Sequence, residues 1–110
     1  AGKCLDTAKS PWPGFYSWAT NKAPGKPIML AEWGFDLREA NQAPAVVDGA
    51  SAIVQTRFPM LKALVYWNDN SGGFAVRLDQ TTTLGKAYGQ AYSRMANNAY
   101  FNETSTAGAP

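Results

Sequence analysis

A carboxylate at the end of a short apolar run is the residue whose type and position most directly suggest chemistry. Residues 26–34 read KPIMLAEWG, so the apolar run stops at Glu32, followed by an aromatic residue and a glycine. An apolar run without alternation is typical of a strand buried on both faces, as in parallel α/β sheets. Active sites in such sheets lie at the carboxyl ends of the strands. Glu32 therefore occupies the place where a barrel enzyme carries a catalytic group, which favours carboxylate-based hydrolysis.

The elements that must position Glu32 alternate between helix and strand. Apolar spacing, prolines and loop signals predict helix 15–20, strand 27–32, helix 44–57, strand 61–67 and a last helix capped by Thr82 or Thr83. Residues 74–79 alternate and predict a short extended segment. Two strands joined by a helix form a βαβ unit, so we expect them to be parallel neighbours.

Two strands are too few to bury an apolar parallel sheet. A closed parallel barrel takes about 250 residues, whereas this chain has 110. Apolar strands with open edges would also promote aggregation. We therefore predict that residues 1–101 are the carboxyl-terminal part of a larger α/β barrel, and that residues 102–110 are a tail or linker.

The composition excludes several classes of function. A hydrophobic fraction of 45% with 16% charged residues indicates a globular chain. The net charge of +2 and the scattered lysines do not predict nucleic-acid binding, and no apolar stretch is long enough to span a membrane. With no histidine and the single cysteine Cys4, we expect no metal and no cofactor. Cys4 either pairs with a residue outside this chain or is a small buried hydrophobe.

Three segments carry a family resemblance when they are taken together. They are KPIMLAEWG at 26–34, FPMLKALVYWN at 58–68, and FAVRLDQ at 74–80, which is followed by LGKAYGQAY. In this order and spacing they resemble the last third of glycoside hydrolase family 26, the β-mannanase-like clan A barrels. The resemblance covers roughly residues 10–101. It implies a (β/α)8 TIM barrel of which this chain supplies about strands 7 and 8 with their flanking helices.

The resemblance also implies roles for two residues. Glu32 matches the family's nucleophile, and Trp67 matches an aromatic residue that packs under the sugar beside the scissile bond. The general acid/base is a Glu on the fourth strand, to which no residue here corresponds. Because retaining hydrolysis needs two carboxyl groups about 5–5.5 Å apart, we expect this chain to be inactive in isolation.

The resemblance implies that the chain is part of a retaining glycoside hydrolase that cleaves a β-linked polysaccharide, and an endo-β-1,4-mannanase is the expected activity. Mixed-linkage β-glucan and β-1,3-xylan are competing substrates within the family. The expected partners are the polysaccharide or oligosaccharide and the remainder of the barrel, and we expect an extracellular, secreted protein. The alternative is a non-catalytic carbohydrate-binding or structural module on a degenerate barrel.

Several site residues have a structural interpretation beside the functional one. Glu32 can be a polar residue at a strand exit, and Trp67 a core residue at the barrel mouth. Asp69 can substitute for the missing acid if the chain acts alone. The remaining interpretations are packing for Trp33 and Tyr66, a local ion pair for Arg77 and Asp79, and helix packing rather than sugar binding for Trp12, Phe15, Tyr16 and Trp18.

Overall fold

A computed structural model describes residues 8–9, 11–38, 42–73 and 76–102. Cys4, the first two residues of the predicted extended segment (Phe74 and Ala75) and residues 103–110 of the predicted tail lie outside the described residues. The described elements are α1 (Phe15–Lys22), β1 (Ile28–Trp33), α2 (Ala43–Arg57), β2 (Leu61–Tyr66), a short 3₁₀ segment (Ser71–Gly73) and α3 (Thr83–Ala96).

The two strands form a parallel sheet, as the sequence predicted. Ile28 pairs with Leu61, Leu30 with Leu64 and Trp33 with Tyr66. Helix α2 connects the strands, so their amino ends lie together and their carboxyl ends lie together. The described part of the chain is therefore an α/β fold with a two-stranded parallel sheet.

Element boundaries differ from the predicted ones by one or two residues. Helix α1 continues to Lys22, two residues beyond its predicted end, because the chain turns only at Pro24 and at Gly25, which has φ 74°. The cap of α3 is as predicted: Thr82 Oγ1 accepts a hydrogen bond from Gly85 N at 3.0 Å.

One face of the sheet packs against helices α2 and α3. Val47 of α2 and Tyr88 and Ala91 of α3 are fully buried, and Leu64, Tyr66 and Trp33 pack against them from the strands. A second cluster joins the end of α2 to the start of β2 through Val54, Phe58 and Leu61. The two clusters thus cover one face of the sheet, from the amino ends of the strands at Ile28 and Leu61 to the carboxyl ends at Trp33 and Tyr66.

The opposite face of the sheet is exposed, so the prediction that the strands are buried on both faces is wrong for the described chain. Met29 is 57% exposed and Val65 is 46% exposed. The physical reason is that the described helices pack on one face only.

The predicted extended segment is also wrong in its described part. Residues 76–80 form a turn and irregular structure rather than a strand. Their backbone N–H groups donate to asparagine side chains: Val76 N to Asn70 Oδ1 at 3.1 Å, and Leu78 N to Asn68 Oδ1 at 2.8 Å. The alternating sequence therefore belongs to a folded loop.

The aromatic residues near α1 have two different environments. Tyr16 packs edge-on against Phe58 with 5.0 Å between ring centroids, and its hydroxyl accepts a hydrogen bond from Met60 N at 2.9 Å. Trp12 and Trp18 contact each other at 6.0 Å between centroids, yet both remain more than 40% exposed, with values of 43% and 41%. The predicted helix packing therefore holds for Tyr16 and not for the two tryptophans.

Candidate functional site

Glu32 is exposed near the carboxyl end of β1, where the strand contains a bulge. Leu30 pairs with Leu64 and Trp33 with Tyr66, so β1 advances three residues while β2 advances two. Ala31 and Glu32 lie in this irregularity, and both are exposed. A bulge changes the direction of a side chain relative to regular alternation. The bulge therefore lets Trp33 share the core face with Leu30 and leaves Glu32 exposed.

Trp33 anchors the end of β1 in a cluster of aromatic rings. Its ring centroid lies 5.2 Å from that of Tyr66 and 6.0 Å from that of Tyr92. Tyr66 in turn lies 5.0 Å from Tyr92 and 6.0 Å from the fully buried Tyr88. The predicted packing roles of Trp33 and Tyr66 are confirmed. These contacts fix the backbone that carries Glu32.

Burial affects the titration of two of these tyrosines. It raises the pKa of Tyr66, and it raises the pKa of Tyr88 further, with the neighbouring Tyr66 hydroxyl as the second cause. The Tyr88 hydroxyl is buried and has no hydrogen-bond partner of normal geometry among the described residues. Both hydroxyls therefore stay protonated at neutral pH, which suits packing and not proton transfer.

Trp67 directly follows β2, and its backbone continues the strand pairing. Its N–H donates to the Trp33 carbonyl at 2.9 Å. Residue 67 therefore lies beside the end of β1, and its backbone partner Trp33 is the residue that directly follows Glu32. Because Tyr66 faces the aromatic cluster, alternation directs the next side chain to the other face of the sheet. Trp67 is half-buried.

The loop after β2 is held by the side chains of Asn68, Asn70 and Tyr66. Asn70 Oδ1 accepts hydrogen bonds from Val76 N at 3.1 Å and Arg77 N at 3.3 Å. Asn68 Oδ1 accepts one from Leu78 N at 2.8 Å, and the Tyr66 hydroxyl donates to the Val76 carbonyl. No local sequence signal shows which backbone groups an asparagine will bind, because the partners lie six to ten residues away.

Each aspartate among the described residues has a polar partner of its own. Three of them are bound by arginine forks. In two of these pairs, Arg77 Nε donates to Asp79 at 2.8 Å and Arg94 Nε donates to Asp48 at 2.9 Å. The Arg77–Asp79 pair confirms the predicted local ion pair. Asp36 is bound in the same way by Arg38, with 2.9 Å between Nε and Oδ1.

Asp69 is poorly suited to the role of substitute acid. The Ser71 hydroxyl, and then the Ser71 backbone N–H, hydrogen-bond the Asp69 carboxylate and hold its pKa below the usual value. A general acid must carry its proton near neutral pH, which requires a raised pKa. Asp69 is exposed and shifted in the opposite direction, so it favours a structural role in the loop.

The described residues contain no group of three or more histidine, cysteine, aspartate or glutamate side chains placed to hold a metal ion. Within the same part of the chain, no helix combines the length and the apolar character that crossing a membrane requires.

Comparison of the chain with family models, curated proteins and solved structures finds no significant match. The roles of Glu32 and Trp67 therefore remain predictions based on the sequence motifs and on the geometry of the strand ends.

Proposed function

We propose that this chain is the carboxyl-terminal portion, about strands 7 and 8, of a (β/α)8 barrel that hydrolyses a β-linked polysaccharide with retention of configuration. The best substrate candidate is β-1,4-mannan cleaved internally. The observation that supports the proposal is the parallel pairing of β1 and β2, together with the bond from Trp67 N to the carbonyl of Trp33, the residue directly after Glu32. This edge of a parallel sheet is where barrel enzymes carry their active sites.

In this proposal Glu32 is the nucleophile. Its ionised carboxylate attacks the anomeric carbon while a protonated carboxyl group gives its proton to the leaving sugar oxygen. The resulting glycosyl ester on Glu32 is then hydrolysed by water, which the second carboxylate activates as a base. Each step inverts the anomeric carbon, so the product keeps the original configuration. Acid–base chemistry of this kind calls for no metal or cofactor.

The second carboxyl group must come from the remainder of the barrel. The described aspartates are bound to arginines or, for Asp69, to a serine. These partners hold the pKa values of Asp48, Asp69 and Asp79 below the usual value. A retaining pair needs its partner about 5–5.5 Å from Glu32. We expect a Glu at the end of an earlier strand, on the order of 100 residues upstream, as barrel spacing requires.

Trp67 serves as a sugar platform in the proposed site. A flat indole matches the apolar face of a pyranose ring, and its N–H can still donate a hydrogen bond. The backbone bond from Trp67 N to the Trp33 carbonyl ties this platform to the strand that carries Glu32. A secreted, extracellular protein would meet the polymeric substrate that such a site takes.

The test uses the complete barrel and three single variants. Glu32→Gln preserves shape and removes the attacking charge, so hydrolysis of mannan should fall by several orders of magnitude while calorimetric binding of a mannooligosaccharide persists. Trp67→Ala should weaken binding and turnover together, because a stacking surface acts in both the ground and transition states. Asp48→Asn, which changes an exposed carboxylate on α2, is the matched control and should leave both unchanged.

The outcomes separate the proposal from its alternative. Near-normal turnover of Glu32→Gln would make Glu32 a structural residue and would refute its role as nucleophile. Oligosaccharide binding without any hydrolysis by the unmodified barrel would support a non-catalytic carbohydrate-binding module instead.

A further inference from the structure

The segment 76–80 returns along the end of β2 and is fastened there by side chains. Three successive backbone N–H groups, at positions 76 to 78, all donate to asparagine oxygens. The Tyr66 hydroxyl adds a bond to the Val76 carbonyl, and Val76 itself is only 3% exposed. These bonds join the two described parts of the loop, residues 68–73 and 76–80, and loops whose ends are held together often carry function.

Helix α3 holds the other side of the same segment. A Cβ atom built on Gly89 would lie 3.0 Å from the Leu78 carbonyl oxygen, and one built on Gly85 would lie 2.2 Å from Gln80 Cβ. These two glycines, spaced four residues apart in LGKAYGQAY, allow the helix to approach the loop backbone closely. The segment is therefore clamped between α3 and the two asparagines.

Asn68 and Asn70 lie one and three residues after Trp67. The N–H of Trp67 is fixed to the Trp33 carbonyl on β1, and Asn68 fixes the chain immediately after it to Leu78. The backbone around Trp67 is thus restrained from both sides. If the asparagine oxygens were removed, water would take over the three N–H groups and the loop would gain conformational freedom.

We propose that Asn68 and Asn70 are positioning residues that hold segment 76–78 beside Trp67, so that the rim of the sugar site is formed before substrate binds. This inference rests on the proposed function. Substrate binding to a loosened rim would have to bear the cost of ordering it, which weakens affinity. The chemistry at Glu32 would be affected less, because neither asparagine belongs to β1.

The experiment compares isosteric substitutions in the complete barrel. Asn70→Leu and Asn68→Leu remove the accepting oxygen, whereas Asn70→Asp and Asn68→Asp keep it. We expect each leucine variant to raise KM for mannooligosaccharides about tenfold, equal to about 1.4 kcal/mol, with a smaller change in kcat. The aspartate variants should restore a KM near that of the unmodified protein. Asn21→Leu, on the exposed surface of α1, is the matched control.

Amide hydrogen exchange at Val76, Arg77 and Leu78 gives a readout that does not depend on activity. The leucine variants should lose protection at these amides, and the aspartate variants should keep it. The positioning role is refuted if protection falls while KM stays unchanged, or if kcat falls with overall stability while KM does not rise. Unchanged protection in the leucine variants would also refute it. Absence of hydrolysis by the unmodified barrel would instead refute the proposed function. Hydrogen exchange would then still show whether Asn68 and Asn70 hold segment 76–78.

Discussion

At the scale of single residues, Glu32 and Trp33 show how one bulge assigns neighbours to different environments. Trp33 packs among aromatic rings, and Glu32 stays exposed. Strict alternation from Leu30 would instead have put Glu32 on the core face. The extra residue in β1 keeps an ionisable carboxylate out of an apolar cluster, where its charged form would be strongly disfavoured. Because of this bulge, the last two residues of β1 differ: Trp33 is packed and the Glu32 carboxylate is accessible.

Tyr88 offers a test of the aromatic cluster through its buried hydroxyl. Tyr88→Phe removes an oxygen without a good partner among the described residues, so the free energy of unfolding at neutral pH should stay equal or rise. Because folding raises the Tyr88 pKa above its ordinary value of 10.0, the folded state loses stability as pH rises past that value. The variant should therefore be less sensitive to alkali.

The measurement is urea unfolding of the complete barrel at neutral pH and at a pH above the ordinary tyrosine pKa. Tyr100→Phe is the control, since the Tyr100 hydroxyl donates to the Pro59 carbonyl at 2.9 Å. Its loss should cost about 0.5–1.5 kcal/mol at neutral pH. A comparable loss in Tyr88→Phe would show that its hydroxyl is well bonded.

At the scale of elements, helix α3 is shaped by the loop that lies against it. Gly85 sits in the first turn, where its N–H donates to the capping Thr82 side chain and its Cα faces Gln80. Gly89 approaches the Leu78 carbonyl one turn later. Glycine has low helix propensity, so these two positions weaken the helix itself, but they let the loop pack closely against it.

Gly85→Ala tests this close approach. Its Cβ would lie 2.2 Å from Gln80 Cβ and 3.1 Å from the Gln80 carbonyl oxygen, so the loop or the cap has to move. We expect a loss of about 1–3 kcal/mol in the free energy of unfolding, as for other overpacked sites. Gly49→Ala in α2 is the matched control, because nothing lies within 4 Å of its Cβ position. It should gain about 0.5–1 kcal/mol.

Both variants are made in the complete barrel and compared with the unmodified barrel by denaturant unfolding. Equal effects of the two substitutions, with the same sign, would contradict the packing described for Gly85.

The elements that the sequence predicted are those with local signals. Pro44 and the apolar spacing mark α2, Thr82 marks the cap of α3, and the two apolar runs mark the strands. The bulge near Glu32 could not be predicted, because it depends on the register with β2. The bonds of Asn68 and Asn70 were missed for a similar reason, since their partners are set by how the loop folds back. The alternation of residues 74–79 was misleading because loop backbone can be satisfied by side chains.

At the scale of the whole molecule, the open face of the sheet exposes apolar side chains that no described helix covers. Met29 and Val65 are apolar and roughly half exposed, at 57% and 46%. An apolar face on parallel strands normally packs against another layer, or it lines the interior of a barrel when the sheet closes. The proposal assigns that role to the remaining strands of the barrel.

This surface predicts how the 110-residue chain behaves alone. The isolated chain should associate through its open sheet face or fail to unfold cooperatively, because apolar strands with open edges pair with other chains. Val65→Lys should reduce that association in sedimentation equilibrium, whereas Gln90→Lys, at an exposed position of α3, should not. A monomer with a sharp cooperative thermal transition would contradict the view that further chain covers this face.

The most direct test of the central claim is to trap the covalent intermediate. Fluorine at C2 of a mannoside disfavours the oxocarbenium-like transition states of both steps. A good leaving group offsets this effect in the first step only, so the glycosyl ester should form and then be hydrolysed slowly. Peptide mass spectrometry of the complete barrel should then find one added sugar on Glu32, and none after Glu32→Gln. Active hydrolysis accompanied by a label on another carboxylate, or by no label at all, would contradict the assignment of Glu32 as the nucleophile of a retaining glycoside hydrolase.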